Sequence, residues 1–303
     1  LGLLRDIDGL YTLSPFLDCA PDTTPIPERS LPIQVPGPLY SIQSLRTIPQ
    51  ANYSPLALIK KDPAVFAVEG TTEIQRAWQH AIATATTYIY IEDQFLFSED
   101  LYRWLGEAII AKPTLRVLLV KGLPDPNDPD IFWPLVRMAI RKELKNLSQE
   151  QLDRIGFFVH LRATVHAKTT LIDDVWAMIG SANFAQRSLY TDFEHCISIA
   201  DEPAVKAYRR VLWEEHLRGA HGDPYIAGNP SPLGSDEIGY SLSRWDDLYV
   251  HSLEKLPLEI PDPPDDSGPN LRVPGPLHYP PSLGFVQTWI DPDSRKEWNP
   301  CPH

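Results

Sequence analysis

Proline is concentrated at the two ends of this chain, and that distribution limits where layered structure can form. Of 31 prolines in 303 residues, nine lie in 1–60, seven in 61–216 and fifteen in 217–303. A proline lacks the backbone donor and clashes with the preceding helical turn, so the helices of a packed core must come from the middle of the chain. Residues 1–51 read as an extended Pro-rich arm, in which Pro21, Pro25, Pro27, Pro32, Pro36 and Pro38 exclude a long helix. One strand is expected at its end, Tyr40–Arg46. Residues 52–219 read as a folded domain and 220–303 as a Pro-rich acidic wrap or tail. The aromatics Tyr240, Trp245, Tyr249, Phe285 and Trp289 favour an extended segment lying on the domain surface, with short strands at most.

Within the middle region apolar periodicity switches repeatedly between helix and strand. Thr72 and Gln75 form a capping-box signature, followed by Ile74, Ala77, Trp78, Ala81, Ile82 and Ala85 at helical spacing. Tyr88–Glu92 is an aromatic and β-branched run suited to a buried strand. Ser98 opens a second helix carrying Leu101, Trp104, Leu105, Ala108 and Ile109, which stops before Pro113. Leu115–Val120 reads as a strand, about 131–147 as a helix and Phe157–Leu161 as a strand. Strands at 165–172 and 175–180 adjoin with only Asp173 and Asp174 between them, at hairpin spacing. A strand at 193–199 and a helix at about 202–216 complete the unit. The pattern predicts an α/β fold with a mixed, mostly parallel β-sheet flanked by helices.

The formal net charge is -13. After residue 220, thirteen Asp and Glu stand against five Lys and Arg, which leaves the folded middle only mildly acidic. No basic stripe is visible, so nucleic acid is not the favoured partner. No run reaches the ~18 apolar residues of a membrane span; a soluble chain is expected, its compartment left open. Cys19, Cys196 and Cys301 cannot all pair within one chain, and Cys196 reads as a core thiol. The first residue is Leu rather than Met, which suggests a processed product or a fragment.

The chemistry gathers around the hairpin. His166 and Lys168 are two apart, so on one strand they share a face. With a two-residue turn at Asp173-Asp174, Ser181 is expected opposite His166, and Asn183 lies just beyond the strand end. Glu194 starts the next strand and can accept a hydrogen bond from the imidazole. Lys168, Ser181 and Asn183 suit the non-bridging oxygens of a phosphoryl group while His166 attacks phosphorus or shuttles a proton. This scheme needs no metal and no cofactor. Asp173, at a turn, is expected to fix the hairpin through local hydrogen bonds. Glu92, Asp93 and Gln94 either form a solvated corner or line a site at the carboxyl edge of the sheet. The histidines His80, His216, His221, His251, His278 and His303 read as surface or satisfied core residues.

His166-x-Lys168-x4-Asp173-x6-Gly180-Ser181-x-Asn183, continued by Arg187, Ser188 and Glu194, resembles the signature of the phospholipase D superfamily. Ile89–Phe95 resembles the block that precedes the second signature in phospholipases D, and the resemblance covers about 40–218. In that family two such signatures face each other across one site. One His forms a covalent phosphohistidine, the other protonates the leaving alcohol, and water or a second alcohol resolves the intermediate. The resemblance implies His166, Lys168 and Asp173 as the catalytic signature, with His166 as general acid/base. It further implies Ser181, Asn183 and Gln94 at the substrate, and Glu194, Glu92, Gly180 and Ser188 in support.

No other His here is followed two places on by Lys; His160-Leu-Arg162 is the nearest approach. The chain is therefore expected to be the C-terminal half of a two-signature enzyme, acting on a phospholipid or other phosphodiester, with peripheral membrane contact at its substrate. Its partner would be a missing N-terminal half or a second copy of the chain. The alternatives are a homodimeric single-signature phosphodiesterase or nuclease, and a non-catalytic module that binds a phosphorylated ligand or a partner.

Overall fold

The computed structural model describes residues 41–49, 70–122, 132–160, 165–217, 238–246, 253–261 and 268–271. The proposed arm before residue 41 lies outside them, as do Tyr249, Phe285 and Trp289 of the C-terminal segment. In chain order the elements are β1 (Ser41–Ile48), β2 (Thr71–Thr72), α1 (Glu73–Thr84), β3 (Tyr88–Asp93), α2 (Glu99–Ala111) and β4 (Arg116–Gly122). Then come α3 (Phe132–Glu143), α4 (Gln149–Leu152), β5 (Ile155–His160), β6 (Lys168–Ile172), β7 (Trp176–Gly180), α5 (Gln186–Tyr190) and β8 (Glu194–Ala200). The last are α6 (Glu202–Leu217), α7 (Ile238–Asp246), β9 (Leu253–Leu256), β10 (Leu258–Glu259) and β11 (Asn270–Leu271).

Nine strands form one mixed sheet in the order β2-β1-β8-β7-β6-β3-β4-β5-β9. Its helix-flanked α/β character agrees with the sequence, but the expected excess of parallel pairs does not hold. Only β3 with β4 and β4 with β5 run parallel; the other neighbours are antiparallel. The reason is connectivity. Helical crossovers, which parallel neighbours require, join only β3 to β4 and β4 to β5. The hairpin strands β6 and β7, the return strand β8, and the flanking strands β1 and β9 are each added antiparallel to the strand beside them.

Alternation along β3 sorts the core into two layers. Ile89 and Ile91 face α1, α2 and α3, packing with Trp78, Leu105, Ile109, Val136 and Ile140. Tyr88 and Tyr90 face the other side, with Trp213 of α6 and Trp245 of α7. Every residue of β3 is buried, as a central strand covered on both faces should be. Trp245 lies fully buried against Phe158, Trp213 and Tyr90, with ring centroids 4.8, 5.6 and 5.8 Å away. Helix α7 therefore departs from the extended segment expected there, and β9 joins the main sheet beside β5. Trp245 and Leu242 anchor α7 in this layer, with Ile238 packed against it.

Two helix starts differ in chemistry. The Ser98 hydroxyl caps α2 by accepting the Leu101 N–H at 3.4 Å. Thr72 caps α1 without a side-chain hydrogen bond, so the capping box expected with Gln75 does not form. Thr72 is held in β2 opposite Thr47 instead, and Glu73 accepts from the Arg46 backbone and guanidinium. Among the described residues no helix is long and apolar enough to cross a membrane.

Candidate functional site

The hairpin that presents the signature turns on two acidic residues in left-handed backbone, Asp173 at φ 54° and Asp174 at φ 59°. Asp tolerates that region better than most side chains. The Val175 N–H closes the turn on the Ile172 carbonyl at 3.0 Å. Trp176, not Val175, is then the partner of Ile172, and Thr169 pairs with Ile179. Val175 thus acts as one extra residue on the second strand, shifting the expected register by one. Strand β6 begins at Lys168, so His166 precedes the ladder and does not stand opposite Ser181. The two-residue arithmetic fails because the bulging residue leaves no mark in the pattern.

Asp173 locks the hairpin to the start of β3. Its carboxylate accepts the backbone N–H groups of Thr86, Thr87 and Tyr88 at 2.6, 2.8 and 2.8 Å, and the Thr86 hydroxyl at 2.8 Å. It lies at the end of β6 away from Lys168. Asp174 pairs with the buried Arg209 of α6 and accepts from the Tyr88 hydroxyl at 2.8 Å.

At the other end of the hairpin the Lys168 ammonium donates to Gln94 Oε1 at 3.3 Å and to the His166 carbonyl at 3.2 Å. The His166 side chain is exposed, and no hydrogen bond joins its imidazole to another described residue. Lys168 is half-buried; burial pulls its pKa down, and the carboxyls of Asp93 and Glu194 pull it back up.

Glu194 is placed by β8 and held by two hydroxyls. Ser188 Oγ donates to it at 2.7 Å, and Ser181 Oγ donates to its other oxygen. Both carboxylate oxygens are thus engaged by serines, rather than by the imidazole to which sequence spacing had directed one of them. Burial lifts the Glu194 carboxyl above the usual carboxylate range, opposed by the two serines and by Lys168. Ser188 also accepts the Asn183 N–H at 3.0 Å, which links Asn183 through Ser188 to Glu194. Asn183 Oδ1 is buried without a hydrogen-bond partner among the described residues. An orphaned buried acceptor costs about 1–3 kcal/mol.

Gly180 allows β7 to approach β8 closely enough to build this cluster. A Cβ there would lie 2.3 Å from the His195 carbonyl oxygen and 2.5 Å from Cys196 Cα. Cys196 itself is a buried free thiol whose pKa burial pushes up to about 11.

The pleat separates Glu92 from Asp93 at the end of β3, and Gln94 follows beyond the strand. Gln94 reaches Lys168. Glu92 points to the opposite face, where it accepts from the Tyr90 hydroxyl at 2.9 Å and faces His216 Nε2 at 3.0 Å. It buttresses the core there and touches none of the signature residues. Asp93 is the direct cross-strand partner of Lys168. Lys121 of β4, also buried, donates to the Gln94 carbonyl. The only sequence signal for Asp93 and Lys121 was a charged residue ending an otherwise apolar strand.

Lys168, Gln94, His166, Asn183 and the serine-held Glu194 thus gather at one end of the sheet. Residues 79–216 match the family model described as "Cardiolipin synthase, PLD-like domain"; this segment is a phospholipase D-like domain. Among curated relatives, phospholipase D C of Dictyostelium discoideum is 26% identical over 218 residues, covering 54% of this chain and 13% of the relative. Phospholipase D delta of Arabidopsis thaliana is 26% identical over 233 residues, covering 53% and 26%. The chain therefore spans about a quarter or less of the length of these relatives. Among solved structures, the phospholipase D family member Nuc from Salmonella typhimurium aligns at TM-score 0.38 and 14% identity, over 56% of this chain and 90% of that one. The phosphatidylserine synthase of Haemophilus influenzae Rd KW20 aligns at 0.39 and 15%, over 59% and 39%.

Proposed function

We propose that this chain supplies the second half of a phospholipase D-type active site, for hydrolysis or transphosphatidylation of phospholipid phosphodiesters. In this reading Lys168, Asn183 and Gln94 hold the non-bridging oxygens as negative charge develops, and Glu194, braced by Ser181 and Ser188, keeps Lys168 in place. A histidine of the completing half attacks phosphorus, forming the N–P bond as the P–O bond to the leaving alcohol breaks. The His166 imidazolium gives that alcohol its proton. Water or an acceptor alcohol then attacks phosphorus, passes a proton to the neutral His166 imidazole and releases the first histidine. Asp173 serves by fixing the hairpin. The completing half is a separate N-terminal half or a second copy of this chain, and the lipid substrate brings peripheral contact with a membrane surface.

One observation carries this reading: the Lys168 ammonium donates both to Gln94 Oε1 and to the His166 carbonyl, which brings the two residues to one cation. The test is trapping. The chain is mixed with a first-half polypeptide bearing His-x-Lys-x4-Asp and with phosphorus-labelled phosphatidylcholine. Acid-labile label on the first half, with product release lost in His166→Ala, is the expected result. Turnover unchanged in His166→Ala removes the role.

A further inference from the structure

Beneath the residues of the signature lies a carboxylate that the signature does not include. Asp93 is 1% exposed and directly opposite Lys168, so the two side chains share a face of the sheet. Its Oδ1 accepts the Phe95 N–H at 2.7 Å and its Oδ2 the Phe184 N–H at 2.9 Å. Phe95 follows Gln94 and Phe184 follows Asn183 in sequence, so one buried carboxylate joins the two loops that carry the proposed phosphate ligands. The loops meet again where the Phe97 and Ser98 N–H groups donate to the Phe184 carbonyl at 3.0 and 3.2 Å. Between these anchors Leu96 sits at φ 53°, a conformation that a bulky residue keeps only when its surroundings enforce it. The Tyr102 hydroxyl holds that residue's carbonyl at 2.9 Å.

We propose that Asp93 is a positioning residue of the phosphate site, holding the Gln94 and Asn183 loops at the separation that lets both serve the anion bound at Lys168. The proposal rests on the reading of the site as phosphate-binding. Without the carboxylate, two amides lose their acceptor and the strained loop after β3 is free to relax, carrying Gln94 away from Lys168.

Calorimetric titration of the full chain with sulfate tests this, using wild type, Lys168→Ala, Asp93→Asn and Asp93→Leu. Asn and Leu are both uncharged, so a difference between them reads the hold on the loops and not the charge. Wild type binds sulfate and Lys168→Ala binds at least about tenfold more weakly. Asp93→Asn, which keeps an oxygen acceptor for one loop, binds about tenfold more tightly than Asp93→Leu, the factor that a single hydrogen bond to a backbone amide supplies. Equal affinity of the folded Asn and Leu variants, with Lys168→Ala still impaired, overturns the positioning role and leaves the phosphate site standing. Absence of binding by wild type overturns both. Should Asp93→Leu not fold, hydrogen exchange on wild type decides: sulfate should slow exchange in 93–97 and 181–186 together. Protection around Lys168 without protection of either loop contradicts the proposal.

Discussion

Asp173 Oδ1 lies 2.8 Å from the backbone nitrogen of Tyr88, where it ties the β6–β7 turn to the first residue of the central strand. The same carboxylate serves Thr86 and Thr87. The last residue of the His-x-Lys-x4-Asp pattern is thus spent on the hairpin, at the end of β6 opposite to Lys168. Asp173→Ala should destabilise the chain by about 2–4 kcal/mol through unsatisfied amides and a non-favoured left-handed residue. Sulfate affinity of the folded fraction should change little. Chemical denaturation and calorimetric titration on the same variant check both halves of the expectation.

Gly180 is required by close approach, not by backbone freedom. Because a Cβ would meet the His195 carbonyl and Cys196 Cα, Gly180→Ala must push β7 from β8 and with it Ser181 from Glu194. A loss of about 1–3 kcal/mol is expected from overpacking, together with weaker sulfate binding. Thermal unfolding gives the first and titration the second; a fully stable Gly180→Ala chain would mean that the two strands can separate freely.

Burial raises the Asp93 carboxyl from 3.8 to about 7, against the pull of the Phe95 and Phe184 amides, Lys121 and Lys168. The folded chain therefore holds this proton more tightly than the unfolded one. Its contribution to stability is complete below about pH 4 and is lost as pH rises through about 7. Asp93→Asn cannot ionise, so the stability difference, variant minus wild type, should grow between pH 4 and 7 by at most about 1.4 kcal/mol per pH unit. Denaturation of both proteins across that range measures it; a difference that is flat with pH would show that Asp93 titrates normally.

Elements with strong local periodicity were legible in the sequence: Trp78 and Ile82 mark α1, Leu101 and Leu105 mark α2, and Tyr88–Glu92 marks β3. Relations between distant segments were not. The hairpin register turned on Val175, whose extra place in the turn before β7 depends on two left-handed aspartates and not on any hydrophobic pattern. Whether β6 runs with or against β3 is decided by the route of the chain, and the local residues are compatible with both. The cluster Lys168, Asn183, Ser188 and Glu194 was visible as a motif, yet the motif put the hydrogen bond of Glu194 on His166 when serines hold both of its oxygens. Glu92 and Asp93 could be assigned to opposite faces by alternation, but only the pairing of Asp93 with Lys168 tells which face carries the site.

In the proposed site His166 and Lys168 serve the same anion. Side-chain nitrogen and carbon resonances of His166, followed by NMR during sulfate titration of wild type and Lys168→Ala, test it most directly. A saturable shift of the His166 imidazole is expected in wild type and is absent in Lys168→Ala. Sulfate binding that depends on Lys168 but leaves the His166 imidazole unmoved at saturation would contradict it.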